Sequence, residues 1–300
     1  MHMKVSPYTI LWIFDYLSNR PQFVKINEFL SNTVLTNTGC PQGTVLSPYL
    51  FSLYTSDSRE SHDLCTLIKY ADDTALTGKI FNDNHTPFLE AVNRFVDWCD
   101  QNYLELNVSK TKEMLIDFRK NKTVPDPVIL KGKVVERVVT FKYLGATIDD
   151  SLSWSENTDS IVSKANTRLH CLRKLHTFHV HSPMLQLFFS SMICSVLTFG
   201  STVWGGNITD FDKKRLGRII QKASYLIGIP QESLKDMVDR KVYNKLTNIF
   251  NDESHPLRQE FDSLIIARSG RLRLPKVNTE RYLKSFVPNA VKIFNSNYSR

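Results

Sequence analysis

Paired cysteines, glycine, proline and unbroken apolar runs are all scarce in these 300 residues. The five cysteines (Cys40, Cys65, Cys99, Cys171 and Cys194) are scattered and form no CxxC pair. An odd count without a framework excludes a disulfide scaffold. It points to reduced thiols in an intracellular protein, nuclear or cytoplasmic, most of them buried as small apolar groups. Glycine (11) and proline (12) are too few for a collagenous or low-complexity chain. The first 24 residues mix apolar and polar side chains, with Asp15 and Arg20 among them, which reads against a secretory signal. From Leu175 to Thr209 there is no Lys, Arg, Asp or Glu. A membrane span needs about 20 apolar residues. Here Ser190, Ser191, Ser195, Thr198, Ser201 and Thr202 interrupt the run, so a buried helix followed by a short strand or turn is expected, and no membrane partner.

What is present suits a globular chain with a sizeable core: 42% hydrophobic and 23% charged residues. The net charge of +8 is unevenly spread. Residues 211–300 carry 18 basic and 9 acidic side chains, a net of +9, and the rest of the chain carries −1. The last third is therefore the candidate to face a polyanion, with a solvated basic surface as the plainer alternative.

Along the chain, Ile10, Ile13, Phe14 and Leu17 recur at helical spacing, and an extended segment follows at 23–26. The breaker-rich loop Thr38-Gly-Cys-Pro-Gln-Gly-Thr44 feeds a helix-like stretch from Leu46 to Tyr54. Two β-type runs then flank an acidic pair, predicting a hairpin with Asp72 and Asp73 at its tip. Thr86-Pro87 starts the clearest amphipathic helix, with a capping hydroxyl and then proline. Its stripe is Phe88, Val92, Phe95, Val96, Cys99 and Tyr103. A strand is expected over 114–118, a tight hairpin around Lys131-Gly132, and another strand over 138–148. After Asp150 the pattern is helical, with a stripe of Ile161, Ala165, Leu169 and Leu172. No internal repeat is found. Helix, hairpin, helix and strands in this order suggest an α/β sandwich followed by an all-helical region.

The chemistry centres on Tyr70-Ala-Asp-Asp73. Adjacent aspartates repel, and each raises the other's pKa. A hard divalent cation removes that penalty, and Mg²⁺ commonly uses one or two carboxylates plus substrate phosphates. Alone the doublet is weak evidence, since surface turns are rich in aspartate.

Its neighbours add weight. Gly39-Cys-Pro-Gln-Gly-Thr-Val-Leu-Ser-Pro48 lies upstream. Leu106-Asn-Val-Ser-Lys-Thr-Lys112 and Phe141-Lys-Tyr-Leu-Gly145 lie downstream. This ordered set resembles the reverse transcriptase of non-LTR, LINE-type retrotransposons over nearly the whole chain. The resemblance implies a partial polymerase palm, an antiparallel sheet with helices, over residues 1–149. A helical thumb-like region over 150–205 and a basic helical region over 206–300 would follow. It implies Asp72 and Asp73 as catalytic metal ligands for Mg²⁺, or Mn²⁺. Pro41, Gln42, Gly43 and Tyr70 would contact the nucleotide. Lys110 and Lys112 match the basic motif near the triphosphate, where either lysine could neutralise or protonate pyrophosphate. Tyr143, Leu144 and Gly145 match the primer grip. The implied partners are an RNA template, a DNA primer and deoxynucleoside triphosphates; no protein partner can be deduced. Physically, Gly43 permits close backbone approach and Gln42 offers a two-way hydrogen-bonding amide.

The family carries a further essential aspartate in a strand motif that would lie before the region matching 5–26. Asp15 falls in the helix after that motif and is not a substitute. The expectation is thus an N-terminally truncated polymerase, impaired by itself. A non-catalytic nucleic-acid-binding remnant of a transposon is the alternative, with Lys213-Lys-Arg215, Arg271, Arg273, Tyr282 and Phe286 as contacts. Part of the stretch over 150–200 is also similar to an N-terminal segment catalogued with an AlkB-type dioxygenase and methyltransferase, without residues for that chemistry. His170, Cys171, His176, His179 and His181 fit no zinc-finger spacing and read as a solvated helix end.

Overall fold

The computed structural model describes residues 5–60 and 62–298. The chain divides into two compact units. One is built on residues up to Lys110 together with Thr123–Val135; the other is built on Thr111–Lys122 together with Glu136 onward. The architecture is mixed α/β with small two-stranded sheets, in place of the extended sheet that a sandwich would need.

In the first unit, α1 (Pro7–Leu17) starts at a proline, whose fixed φ suits the first helical turn. It buries none of its residues, and Tyr8, Leu11, Trp12 and Phe14 are exposed. Two ribbons follow, Arg20–Gln22 with Val34–Thr36 and Lys25–Ile26 with Phe29–Leu30. Next come α2 (Leu46–Tyr54), the hairpin Cys65–Tyr70/Asp73–Gly78, and α3 (Thr86–Gln101). On α3, Ala91 and Cys99 are fully buried, and Phe88, Val92 and Val96 pack on Val128, Leu130 and Val135. Those last residues belong to the expected tight hairpin, Ile129–Leu130 with Lys133–Val134. Lys131 and Gly132 both have positive φ (48° and 74°), the conformation that a two-residue hairpin turn demands.

Three local expectations need correction here. Thr86 is the first helical residue, and its hydroxyl makes no cap; its backbone N–H donates to the Asn84 side chain instead (3.1 Å). Tyr103 leaves the stripe: it follows the helix with φ of 53° and is 95% exposed. No strand forms over 114–118; the strand is the two-residue Lys112–Glu113 of the second unit, paired in parallel with Glu136–Arg137. The ion pair of Arg137 with Glu113 (3.1 Å) holds that short pairing.

The second unit continues with a hairpin over the segment expected as one strand. Thr140–Tyr143 pairs with Ala146–Asp149, and Leu144 and Gly145 turn the corner at φ of 46° and 88°. Asp149 is buried and accepts backbone N–H bonds from Ser151, Ser153 and Trp154, each at 3.0 Å. Burial pushes its carboxyl up, but the bonds from Ser151, Ser153 and Trp154 outweigh that and hold it below the usual carboxylate range. This knot launches α4 (Ser155–Thr177), whose stripe of Ile161, Ala165, Leu169 and Leu172 is buried as expected.

The uncharged stretch is a series of helical segments joined by turns, with no strand in it. It runs through α5 (Ser182–Phe188), a π-helical segment (Phe189–Cys194), α6 (Ser195–Leu197) and α7 (Ser201–Trp204). Leu185, Phe189, Ile193 and Leu197 are all buried at a strict spacing of four. In a pure α-helix that spacing drifts by about 40° per step. The wider π turn absorbs the drift and keeps one stripe inward. Ser191, Ser195 and Thr198 donate back to carbonyls four residues earlier, which satisfies those hydroxyls, whereas the buried Ser201 hydroxyl has no hydrogen-bond partner among the described residues. No helix of the described residues is long and apolar enough to cross a membrane.

Then come α8 (Asp210–Ile227), α9 (Leu234–Asn251), α10 (Arg258–Asp262), α11 (Glu280–Leu283) and α12 (Phe286–Tyr298). Thr209 and Ser233 cap α8 and α9 by accepting from the N–H three residues on. One core joins Trp154 through Val291, with Trp204 and Phe261 at 0% exposure in its middle.

Candidate active site

The acidic pair sits where its flanking runs put it. Cys65–Tyr70 and Asp73–Gly78 pair in antiparallel register from Cys65↔Gly78 to Tyr70↔Asp73. Ala71 and Asp72 alone make the connection, so Asp72 lies in the turn and Asp73 opens the second strand. Ala71 takes φ of 52°, a left-handed conformation that costs an L residue roughly 1–2 kcal/mol. Strain of this kind is retained where the surroundings fix it, and such sites are often functional.

Alternation divides the hairpin's side chains between two faces. Cys65, Leu67 and Lys69 face α3: the Cys65 thiol lies 3.7 Å from the Pro87 carbonyl, and a Cβ on Gly78 would meet Phe88 at 2.6 Å. Asp73 shares the opposite face with Ile68 and Tyr70, which are 48% and 65% exposed. Both aspartates are exposed, and neither carboxylate has a hydrogen-bond or ion-pair partner among the described residues. Their oxygens are therefore open to a ligand. Two adjacent, unpaired carboxylates on a fixed turn fit a hard divalent cation in donor type. Burial raises the Cys65 and Cys99 thiols, with the nearby carboxylates of Glu60 and Asp100 as the next contributors, so both are packing residues rather than nucleophiles.

The Gln42 loop belongs to the same unit and is rigidly built. The Arg20 guanidinium donates to the carbonyls of Thr38 (2.6 Å) and Gly39 (2.8 Å). The Ser47 hydroxyl donates to the Pro41 carbonyl (2.6 Å), and the Ser47 N–H donates to Thr44 Oγ1 (3.2 Å), capping α2. The Tyr16 hydroxyl donates to that same Thr44 oxygen at 2.9 Å. Gly43 turns at φ of 79°, which explains the glycine, and no atom lies within 4 Å of where its Cβ would stand. Gln42 is exposed, and its amide has no partner among the described residues.

Sequence reasoning missed the residue that ties these parts together. The Lys69 ammonium donates to the Thr55 carbonyl at the end of α2 and lies 6.0 Å from the Trp98 ring centroid. Burial lowers its pKa. A lysine just before a tyrosine in a strand carries no pattern that would announce this.

The remaining candidates divide between the units. Lys110 ends the first unit, exposed and with no side-chain partner among the described residues. Lys112 lies in the second unit and forms an ion pair with Glu136. Tyr143, Leu144 and Gly145 also lie there, at the turn described above; a Cβ on Gly145 would meet the Phe199 ring at 3.1 Å. Among the described residues no group of three or more His, Cys, Asp and Glu is placed to hold a metal, the 170–181 histidines included.

Comparison with known proteins agrees with the resemblance. Residues 154–195 match the family of the alkylated DNA repair protein alkB homolog 8, N-terminal. Residues 2–148 match the family of reverse transcriptase (RNA-dependent DNA polymerase). The chain is 25% identical over 86% of its length to a probable RNA-directed DNA polymerase from transposon BS of Drosophila melanogaster. It is 26% identical over 74% of its length to one from transposon X-element, and 26% over 54% to that of mobile element jockey, both also of Drosophila melanogaster. It spans only 29%, 25% and 19% of those three proteins. No solved structure matches. Reverse transcriptases as a family use divalent metal ions, which agrees with the donor set at the Ala71–Asp72 turn. The family match over residues 2–148 and the retrotransposon relatives together support kinship with the reverse transcriptases of LINE-type elements.

Proposed function

We propose that the chain contributes RNA-directed DNA synthesis, with an RNA template, a DNA primer and deoxynucleoside triphosphates as its partners. The observation that carries this is the exposed, unpaired Asp72–Asp73 pair on a strained turn. Asp72 and Asp73 would hold Mg²⁺, or Mn²⁺ in its place. When bound, the ion supplies Lewis-acid stabilisation of charge on phosphate oxygens. Gln42 offers its amide to the incoming nucleotide or template base, and the rigid 38–47 loop keeps it in place. Tyr70, opposite Asp73, offers a flat exposed ring to the sugar or base. Of the two candidate lysines, Lys110 is the better cation for pyrophosphate, because Lys112 is engaged with Glu136. Tyr143, Leu144 and Gly145 are read as the primer grip. Residues 1–149 are read as palm, 150–205 as thumb-like and 206–300 as a basic C-terminal region.

The test joins two measurements. Paramagnetic Mn²⁺ should broaden amide signals around 70–74 in the whole chain, and Asp72→Asn with Asp73→Asn should abolish that effect. Primer extension on an RNA template should be weak with this chain by itself and should be lost with Asp72→Asn. Unchanged broadening and unchanged extension in the double variant would remove the doublet from the reaction.

A further inference from the structure

The second unit carries a basic cleft that the polymerase chemistry does not use. Arg218, Gln221, Lys222 and Tyr225 recur at i, i+3, i+4 and i+7 on α8, so they line one face of it. The opposite face, with Leu216, Ile219, Ile220, Ala223 and Ile227, is buried. Arg173 of α4 and Leu226 complete an open cleft of about 560 Å³. No carboxylate lines it. Arg173, Arg218 and Lys222 are exposed and have no ion-pair partner among the described residues, whereas Lys213 and Arg215 on the same helix are paired with Asp210 and with Asp159 and Asp212.

Tyr225 is the unusual member. It is 85% exposed, although an aromatic ring gains most from burial. It stands between the basic cleft and a second one of about 430 Å³, which Ile229 and Pro230 help to line. The turn behind it is fixed: Gly228 ends α8 at φ of 78°, and the Gln231 N–H donates to the Ser224 hydroxyl (3.1 Å). The ring therefore has cations on one side and an apolar shelf on the other. Arg218 and Lys222 stand about 6 Å apart along the helix axis.

From this we infer that the Arg173–Arg218–Lys222 cleft and Tyr225 hold single-stranded RNA. The guanidinium and ammonium groups meet backbone phosphates, and the phenol ring stacks on an unpaired base whose neighbour reaches the Ile229–Pro230 shelf. A duplex offers the same phosphates but hides its base faces, so the exposed ring favours an unpaired strand. The choice of RNA rests on the polymerase reading, in which the template ahead of synthesis is the strand with unpaired bases.

Fluorescence anisotropy of labelled U12 with the whole chain tests this, alongside dT12, a 12-base-pair DNA duplex and poly-glutamate. U12 should bind most tightly, and its affinity should fall as salt rises. Tyr225→Ala should weaken it about fivefold or more, and Tyr225→Phe should leave it unchanged. Arg218→Glu should weaken it and reduce the salt slope by at least about one. These positions are exposed, so the variants keep the fold, which circular dichroism checks. Binding of dT12, duplex or poly-glutamate as tight as that of U12 would overturn the inference, as would indifference to Tyr225→Ala. Asp72→Asn should leave U12 binding intact. If Mn²⁺ leaves the 70–74 amide signals unbroadened while U12 binding still tracks Tyr225, the polymerase reading falls and the cleft stands.

Discussion

Lys69 donates to the Thr55 carbonyl, and this one bond joins the strand leading into the acidic turn to the last turn of α2, the helix that the Gln42 loop begins. A cation at a helix C-terminus also answers the partial negative charge there. Lys69→Met keeps the apolar stem and removes the charge. It should cost about 1 kcal/mol in urea unfolding and speed amide exchange over 70–73. Exchange as slow as in the parent chain would show that the tie is dispensable.

The acidic pair should behave oppositely with and without metal. Asp72→Asn relieves repulsion and breaks no bond, so in metal-free buffer its stability should lie within about 0.5 kcal/mol of the parent. Added Mg²⁺ should raise the parent's melting temperature and leave that of Asp72→Asn in place. A parallel rise in both would dissociate the ion from this turn.

Asp149 makes stability depend on pH. Its folded pKa is depressed, so its contribution is fully present above the ordinary carboxylate range and is lost as pH falls through the folded value. Asp149→Asn should therefore destabilise by about 1–3 kcal/mol at pH 7. The gap between the two proteins should close at strongly acidic pH, as urea midpoints at several pH values would show. A gap independent of pH would assign the effect to packing alone.

Two glycines should respond with opposite sign. A Cβ at Gly206 would lie 2.2 Å from the Lys284 carbonyl oxygen, a backbone atom that cannot step aside. Gly206→Ala should cost about 3 kcal/mol. Gly217 lies inside α8 with nothing within 4 Å of its Cβ position. There alanine should add about 0.5–1 kcal/mol. Thermal melts of both variants read the contrast directly.

Local pattern carried much of this architecture. Residues 46–54 and the Thr86–Gln101 stripe declared their helices because apolar side chains recur at three to four residues. The acidic hairpin was legible because β-type runs flank a two-residue connection. The Lys131–Gly132 turn was equally readable from its glycine. The 114–118 segment looked like a strand by composition, yet pairing is decided by a partner elsewhere in the chain, and only Lys112–Glu113 finds one. The π segment was invisible, since it answers a burial stripe and not a propensity. In the site, the Asp72 turn and the Gln42 loop could be read from neighbouring residues. The Lys69–Thr55 tie and the Lys112–Glu136 pair could not, because each joins residues 14 and 24 apart with no local signature.

The shared core from Trp154 to Val291 has a practical consequence for anyone cloning pieces of this gene. A stop codon after residue 205 would strip α8 from α4 and leave Leu169, Leu172 and Leu197 facing water. The matching downstream fragment would present Leu216, Ile220 and Leu246 in the same way. Both products should accumulate as inclusion bodies, while expression from residue 136 onward keeps the two halves of that apolar seam in one polypeptide.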